Sequence, residues 1–366
     1  MWFATLLTSG AASFGRVLIV GLLPNAVPLV FLWALLRAGS FTGQSDWRLL
    51  LPADTRGDLV TVLLVLFGIT LLTVVAQPFQ IRLVRILEGY WEGWWLTARL
   101  APVFVEYQYR KVSRLRERFA FLSNDVHREF DDRMALSELS REYRARARRR
   151  SELSRVEAKL QRYPAPVSDG APDEGEEPIE EVRLLPTGLG NALRTGETSA
   201  GERYGLETVS SWPRLYPHFS DKFIGLQASA RDALDAAANL TISFLIVTVL
   251  GMVALFDEPK AYWIPAAAFG LFVLSYLGSI AAAVEYTTFV RVAYDLHRFD
   301  LVKAMHHPLP DNPVEEYRLF RKLSAFFLAD AGETPVFGLA REAFPEDTYD
   351  HSHKSEDKTG SSADTR

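Results

Sequence analysis

The sequence predicts an all-α protein that crosses a membrane four times, with a large cytoplasmic helical insert between the second and third spans. Three observations predict it. Four apolar runs, residues 17–36, 59–77, 237–256 and 262–284, each have about the twenty residues that a helix needs to cross a hydrocarbon core. Between the second and third runs lies a stretch, 78–236, so rich in charge that it belongs in water. Basic residues mark the flanks on that side: Arg16 before the first span, Arg82, Arg85 and Arg99 after the second, Lys222 and Arg231 before the third, and Arg291, Arg298 and Lys303 after the fourth. Such flanks are expected in the cytoplasm, and an even span count then places both termini there. The opposite loops agree in part, because Arg37, Arg48 and Arg56 stand beside Asp46, Asp54 and Asp58 in the first, while the second has the single Lys260.

Mean composition conceals this partition. Hydrophobic residues at 48% and charged residues at 23% look ordinary because an apolar part and a charged part cancel. A net charge of −5 hides arginine concentrated over 110–162 and acid over 169–181 and beyond 342. With no cysteine, the chain forms neither a disulfide nor a thiolate metal site, and thiol catalysis is excluded. Arg16 abuts a full-length span, unlike the basic start and short apolar core of a cleaved signal, so an uncleaved anchor is expected. Abundant alanine and an excess of arginine over lysine accord with a GC-rich bacterial source.

The N-terminal hairpin, residues 1–77, carries Pro24, Asn25 and Pro28 in its first span. Each proline removes a backbone donor and crowds the preceding turn, so a kink is expected. The freed carbonyls must find partners within the bundle, since lipid offers none. Such a helix is either kinked for packing or broken to line a solute path, with Asn25 as its polar contributor.

Residues 78–162 read as an interfacial and cytoplasmic helical region. Over 79–100, Arg82, Arg85, Tyr90, Trp91, Trp94 and Trp95 alternate with apolar residues; indole rings favour the headgroup level, and arginine reaches phosphates from there. Gly89 and Gly93 interrupt any single helix. From Val105 the positions Val112, Leu115, Phe119, Leu122 and Val126 keep a 3–4 spacing, with Gln108 in the missing slot, which predicts a packing stripe of coiled-coil type. A second stripe, Leu136, Leu139, Tyr143, Leu153, Val156 and Leu160, is broken by Arg146 and Arg150. The two helices are expected to pair as a hairpin or against another copy. Arg144, Arg146, Arg148, Arg149 and Arg150 form the densest cationic cluster. It is either a solvated face paired with Glu142, Glu152 and Glu157 or, together with Arg82 and Arg85, a contact for anionic lipid or another polyanion. A cytoplasmic leaflet offers roughly 1 kcal/mol per basic residue near its surface. No nucleic-acid reading module accompanies the cluster.

Residues 163–181 are dense in Pro, Gly, Asp and Glu and read as an acidic flexible linker. The segment 182–236 is turn-rich, with Leu185-Pro186-Thr187, Leu189-Gly190-Asn191, Arg203-Tyr204-Gly205-Leu206 and Trp212-Pro213-Arg214-Leu215; Gly205 suits a helix stop. With Tyr294-Asp295-Leu296-His297-Arg298-Phe299-Asp300-Leu301 and His307-Pro308-Leu309-Pro310, these runs resemble a family of bacterial multi-span membrane proteins to which no activity is attached. The resemblance covers residues 184–310 and implies the topology without adding chemistry.

The C-terminal hairpin, 237–284, turns at residues 257–261. Its second helix carries Ser275, Ser279 and Ala283 at i+4 spacing, with Gly278 and Ala282 alongside, a small-residue ridge expected to face another helix. Residues 285–341 read as cytoplasmic amphipathic helices, with Phe289, Val292, Leu296, Phe299 and Val302 on the packing stripe and Arg291, Asp295 and Arg298 outside it, ending at His306-His307-Pro308. Residues 342–366 read as a disordered tail.

Polar residues inside a membrane are the default sites of function, and here they are Asn25, Asn239 and, at a boundary, Glu285. One ionisable group is too few for a proton path. The histidines, His127, His218, His297, His306, His307, His351 and His353, lack metal-ligand spacing. No phosphate-cradling loop, metalloprotease helix or nucleophile elbow occurs, so no catalytic residue, cofactor or metal is assigned. The expected role is a membrane-anchored scaffold or binding platform in a bacterial inner membrane, with lipids, a second copy or a cytoplasmic protein as partners. The alternative is an oligomeric ion or small-solute channel or transporter. A lipid-modifying enzyme would require Asp295, His297, Arg298 and Asp300 to converge.

Overall fold

The computed structural model describes residues 17–50, 55–91, 93, 95–131, 141–164 and 184–328. Arg16, the bulk of the acidic linker, Leu136, Leu139, Trp94 and the tail beyond 328 lie outside the described residues, as do the side chains of Val126, His127, Tyr143 and Arg146. Among the described residues the protein is all helix, with no strand. A π-helical turn, Val17–Leu22, leads into α1 (Leu23–Arg37); α2 (Thr55–Glu88), α3 (Trp95–Asp131), α4 (Arg141–Leu160), α5 (Gly188–Glu202), α6 (Thr208–Leu215), α7 (Asp221–Ala254), α8 (Trp263–Ala304) and α9 (Pro313–Leu328) follow.

Among the described residues, three stretches are long and apolar enough to cross a membrane: Val20–Arg37, Asp221–Ala254 and Pro259–Ala304. In α2 the described apolar stretch is shorter, Val60–Leu71. Large apolar side chains stand outward along these helices, among them Leu64 and Phe67 on α2, Val249 and Met252 on α7, and Phe269 and Leu274 on α8. A belt of that extent is untenable against water and natural against lipid tails.

The chain divides into two compact units, the first drawn from Met1–Tyr163, Leu184–Leu193 and Ala228–Tyr286. Within it, the Asn239 side-chain amide, midway along α7, donates to the Val20 carbonyl (3.0 Å) just before α1. Fifteen residues further along both helices, Leu35 and Ala254 share a buried cluster with Leu255 and Ala261. Equal intervals, about 22 Å at 1.5 Å per residue, mean that the two helices run parallel and in register. Beyond that end, Glu258 Oε1 accepts from both the backbone N–H and the hydroxyl of Ser45, each at 2.6 Å, joining the loops that follow α1 and α7. On α8, Ser279 and Ala283 are fully buried as the ridge reading expects, with Ile280 and Ala283 against Leu189, Ala192 and Leu234. Gly278 faces outward instead.

The heptad-like stripes of α3 and α4 meet within one chain. Arg118 pairs with Glu152 across the two helices, and Val112, Leu122 and Val156 are buried. The product is a short antiparallel hairpin rather than an extended coiled coil. Gln108 fills the gap in the stripe, accepting from the Tyr163 hydroxyl (3.0 Å) and donating to the Pro186 carbonyl.

The second unit draws on Arg194–Gln227 and the chain from Thr287 onward. Tyr294 is its centre: fully buried, it shares a hydrogen bond with Ser211 (2.8 Å) and donates to the Thr208 carbonyl (2.8 Å). The packing stripe expected beyond the fourth span holds at Val302 and, through ring contacts with Phe223 and Phe320, at Phe289 and Phe299, but fails at Leu296. Val290, Ala293, Tyr294, Leu301 and Val302 are buried, whereas Leu296 is 63% exposed. The inward face is rotated because Asp295 is drawn to Arg203 and Tyr204 and Arg298 to Glu316, which makes the charged residues part of the packing. The helix stops as expected, with His306 in the left-handed region (φ 58°) and His307 N–H bonded to the Val302 carbonyl, the six-to-one bond of a Schellman ending. Burial holds the His307 imidazole below its ordinary pKa.

Candidate functional site

The concave feature with chemistry to offer is a cleft of about 620 Å³ on the α3–α4 hairpin. It is lined by the apolar Leu115, Ala147 and Val156 and by Arg118, Arg148, Arg155 and Lys159 with Ser151 and Glu152. Helical periodicity explains the arrangement, because Arg148, Glu152, Arg155 and Lys159 recur at 4, 3 and 4 residues and so share one face of α4. Glu152 neutralises Arg118. Among the described residues, three cations, Arg148, Arg155 and Lys159, therefore remain without a paired carboxylate beside apolar lining, a match for an anion attached to something greasy.

Of the cationic residues singled out from sequence, Arg148 alone lines this cleft. Arg144, Arg149 and Arg150 are exposed on α4, and Arg82 and Arg85 are exposed on the last turns of α2. Arg118, Arg155 and Lys159 escaped sequence reasoning because the eye goes to a run of arginines, whereas a cleft between two helices collects every third or fourth residue from each. The legible signal was the 3–4 spacing itself.

The intramembrane polar residues have structural partners. The Asn25 amide donates to the Gly21 carbonyl (2.9 Å) and the Asn239 amide to that of Val20 (3.0 Å), so two side chains serve adjacent carbonyls of the π-helical turn. Glu285 is exposed.

The runs around Leu185–Asn191 and Arg203–Leu206, singled out from sequence, each form a polar knot. In the first unit, Asn191 closes a loop on itself, accepting from Leu185 N–H and donating to the carbonyls of Leu185 and Thr187, all at 2.8 Å. The Thr187 hydroxyl donates to the Glu88 carbonyl (2.7 Å) at the end of α2. The Tyr276 hydroxyl accepts from Gly188 N–H (3.1 Å). The start of α5, with Gly188, Leu189 and Ala192, packs on Tyr276, Ile280 and Ala283, the last turns of the predicted fourth span. Gly89, at φ 98°, ends α2 against Pro186.

In the second unit, Gly205 (φ 86°) ends α5 as expected. The Ser324 hydroxyl meets both the Gly205 carbonyl (3.0 Å) and Glu207 N–H (2.8 Å), and the Glu207 carboxylate caps α6 by accepting from Val209 and Ser210. Asp295, His297, Arg298 and Asp300 do not converge. Asp295 accepts from Arg203 and from the Tyr204 hydroxyl. Arg298 pairs with Glu316 (2.8 Å) with its guanidinium over the Tyr204 ring, and His297 bonds Asp300 (2.9 Å) beneath Phe219 and Phe223. Among the described residues no three His, Asp or Glu side chains gather as a metal site.

No protein-family model matches this chain, and neither a curated protein nor a solved structure is similar to it.

Proposed function

We propose that this protein is a four-span, membrane-anchored binding platform of a bacterial inner membrane, with both termini and the α3–α4 hairpin in the cytoplasm. The observation that carries the reading is the cleft: three cations without a paired carboxylate among the described residues, beside apolar lining, on a hairpin built from helices braced within one chain. Parallel α1 and α7, with their following loops joined through Glu258 and Ser45, support two hairpins of the same sense, as a four-span topology requires. The basic flanks support the sidedness, and the excess of arginine over lysine accords with the source. The channel alternative gains no support from Asn25 and Asn239, whose amides are engaged with backbone carbonyls of the same chain.

The test is photo-crosslinking in native membranes from p-benzoyl-phenylalanine placed at Phe121 or Arg149, both exposed on the hairpin. A platform yields a discrete adduct with a cytoplasmic protein or a second copy. Adduct-free chain at both positions, with a lipid-facing control at Phe269 crosslinking normally, overturns the reading.

A further inference from the structure

The outer face of α3 carries an exposed row that the platform reading leaves unused. Leu100, Phe104, Tyr107, Lys111, Arg114 and Arg118 follow one another at steps of 4, 3, 4, 3 and 4, and all six are exposed. Steps of that kind keep side chains on one face of a helix. The row flanks the buried Gln108–Val112–Leu122 seam, about a quarter turn round the helix from it. Its first half is apolar and aromatic and its second half cationic, the order of a helix that enters the headgroup layer with its rings and meets phosphates with its basic residues. The row terminates at Arg118, which also lines the cleft.

We propose that α3 lies along the cytoplasmic surface of the bilayer on this row, and that the cleft takes the phosphate of an anionic phospholipid between Arg148, Arg155 and Lys159. Lipid is the occupant rather than a soluble anion for two reasons. The apolar half of the row is continuous in sequence with a helix already bearing a lipid-facing belt, so it has a hydrophobic solvent at hand. The cleft's own apolar lining, Leu115, Ala147 and Val156, suits an amphiphile and is wasted on a bare phosphate. Glu152 is the one carboxylate in the cleft; paired with Arg118, it leaves the other three cations to the ligand. The inference rests on the topology proposed above, because the row must face the leaflet that carries the negative surface charge.

The chain has no native cysteine, so single nitroxide labels can be read without background. Full-length protein carrying Phe104→Cys or Ser151→Cys is placed in nanodiscs of purely zwitterionic lipid or of lipid with an anionic phospholipid fraction. The label at 104 is expected to be shielded from an aqueous nickel chelate and open to oxygen in both. The label at 151 is expected to lose mobility in the anionic discs alone, and R148Q/R155Q/K159Q to raise the anionic fraction needed for half the effect by about tenfold or more. A label at 104 open to nickel, or a label at 151 indifferent to lipid charge, overturns the proposal. So does immobilisation at 151 by a soluble oligonucleotide or inorganic triphosphate where anionic lipid has no effect. The two readings fail separately: a lipid response without a protein adduct removes the platform and keeps the lipid site, and an adduct without a lipid response does the reverse.

Discussion

The Asn239 amide stands 3.0 Å from the Val20 carbonyl, which lies four residues before Pro24, the position whose missing N–H would have bonded it in a regular helix. Proline thus creates an acceptor, and a neighbouring helix supplies the donor. In lipid that acceptor has no water to turn to, so a polar residue in an apolar run here completes the backbone rather than forming a path for a solute.

That pairing makes a coupling prediction. Asn239→Ala should destabilise the detergent-solubilised protein by about 0.5–1.5 kcal/mol, the range of hydrogen bonds between transmembrane helices. Pro24→Ala restores the backbone donor, so in that background the cost of Asn239→Ala should shrink toward zero. A thermal-unfolding double-mutant cycle reads the difference, and strictly additive effects would refute the relationship.

The first polar knot predicts a steric asymmetry among glycines. A methyl group at Gly190 would fall inside the van der Waals radius of the Glu88 carbonyl oxygen and crowd Leu185, whereas at Gly278 it would meet nothing. Gly190→Ala should therefore cost about 1–3 kcal/mol by overpacking, and Gly278→Ala should stay within about 0.5 kcal/mol of the parent. Limited proteolysis between Tyr163 and Leu184 offers a second reading, faster in Gly190→Ala alone. Equal behaviour of the two variants would show that the loop is not seated on α2.

How much of this was legible in the sequence depends on the period of the signal. Apolar runs of about twenty residues announce themselves, and α1, α7 and α8 follow. The 3–4 spacing through Val112 and Leu122 marked the packing stripe, with Gln108 visible as a gap in it, while pairing within the chain and pairing with another copy stayed equally open. Which surface of α8 turns inward was legible only in part. Apolar count favoured Leu296, but Asp295 and Arg298 are taken by partners about 90 and 20 residues away in the chain, and no local pattern carries such information. The cleft was missed for a related reason: its cations belong to two helices, and only pairing brings them together.

Topology is open to a direct check in a chain without cysteine. Ser45→Cys and Ser151→Cys should fall on opposite sides of the membrane, since the Ser45 loop joins the loop after α7 at one end of the helices and Ser151 lies on the hairpin. In intact cells an impermeant maleimide is expected to label position 45 and to reach position 151 only after lysis. Labelling of both positions without lysis would rule out a cytoplasmic hairpin.

A last prediction concerns pH. Glu202, on the final turn of α5, has its carboxyl pushed up to about 7 by burial and by the neighbouring Glu207 carboxylate, against the pull of Arg194. A raised value means that the folded state holds this proton more tightly than the unfolded chain, where a glutamate titrates near 4.5. Its contribution to stability is therefore complete below about pH 4.5 and is lost as pH rises through about 7. Because the side chain is half exposed, screening holds the effect to the order of 1 kcal/mol. Glu202→Gln keeps the shape of the neutral acid and cannot ionise, so it should flatten this part of the profile and be more stable than the parent at pH 8. Glu207→Gln removes the same repulsion but also weakens the cap on α6, formed by the carboxylate with Val209 and Ser210, so it should narrow the pH dependence while lowering stability throughout. Thermal midpoints in detergent between pH 4.5 and 8 separate these outcomes. Parallel profiles for the parent and Glu202→Gln would mean that the carboxyl is already neutralised by Arg194 and titrates as an ordinary surface acid.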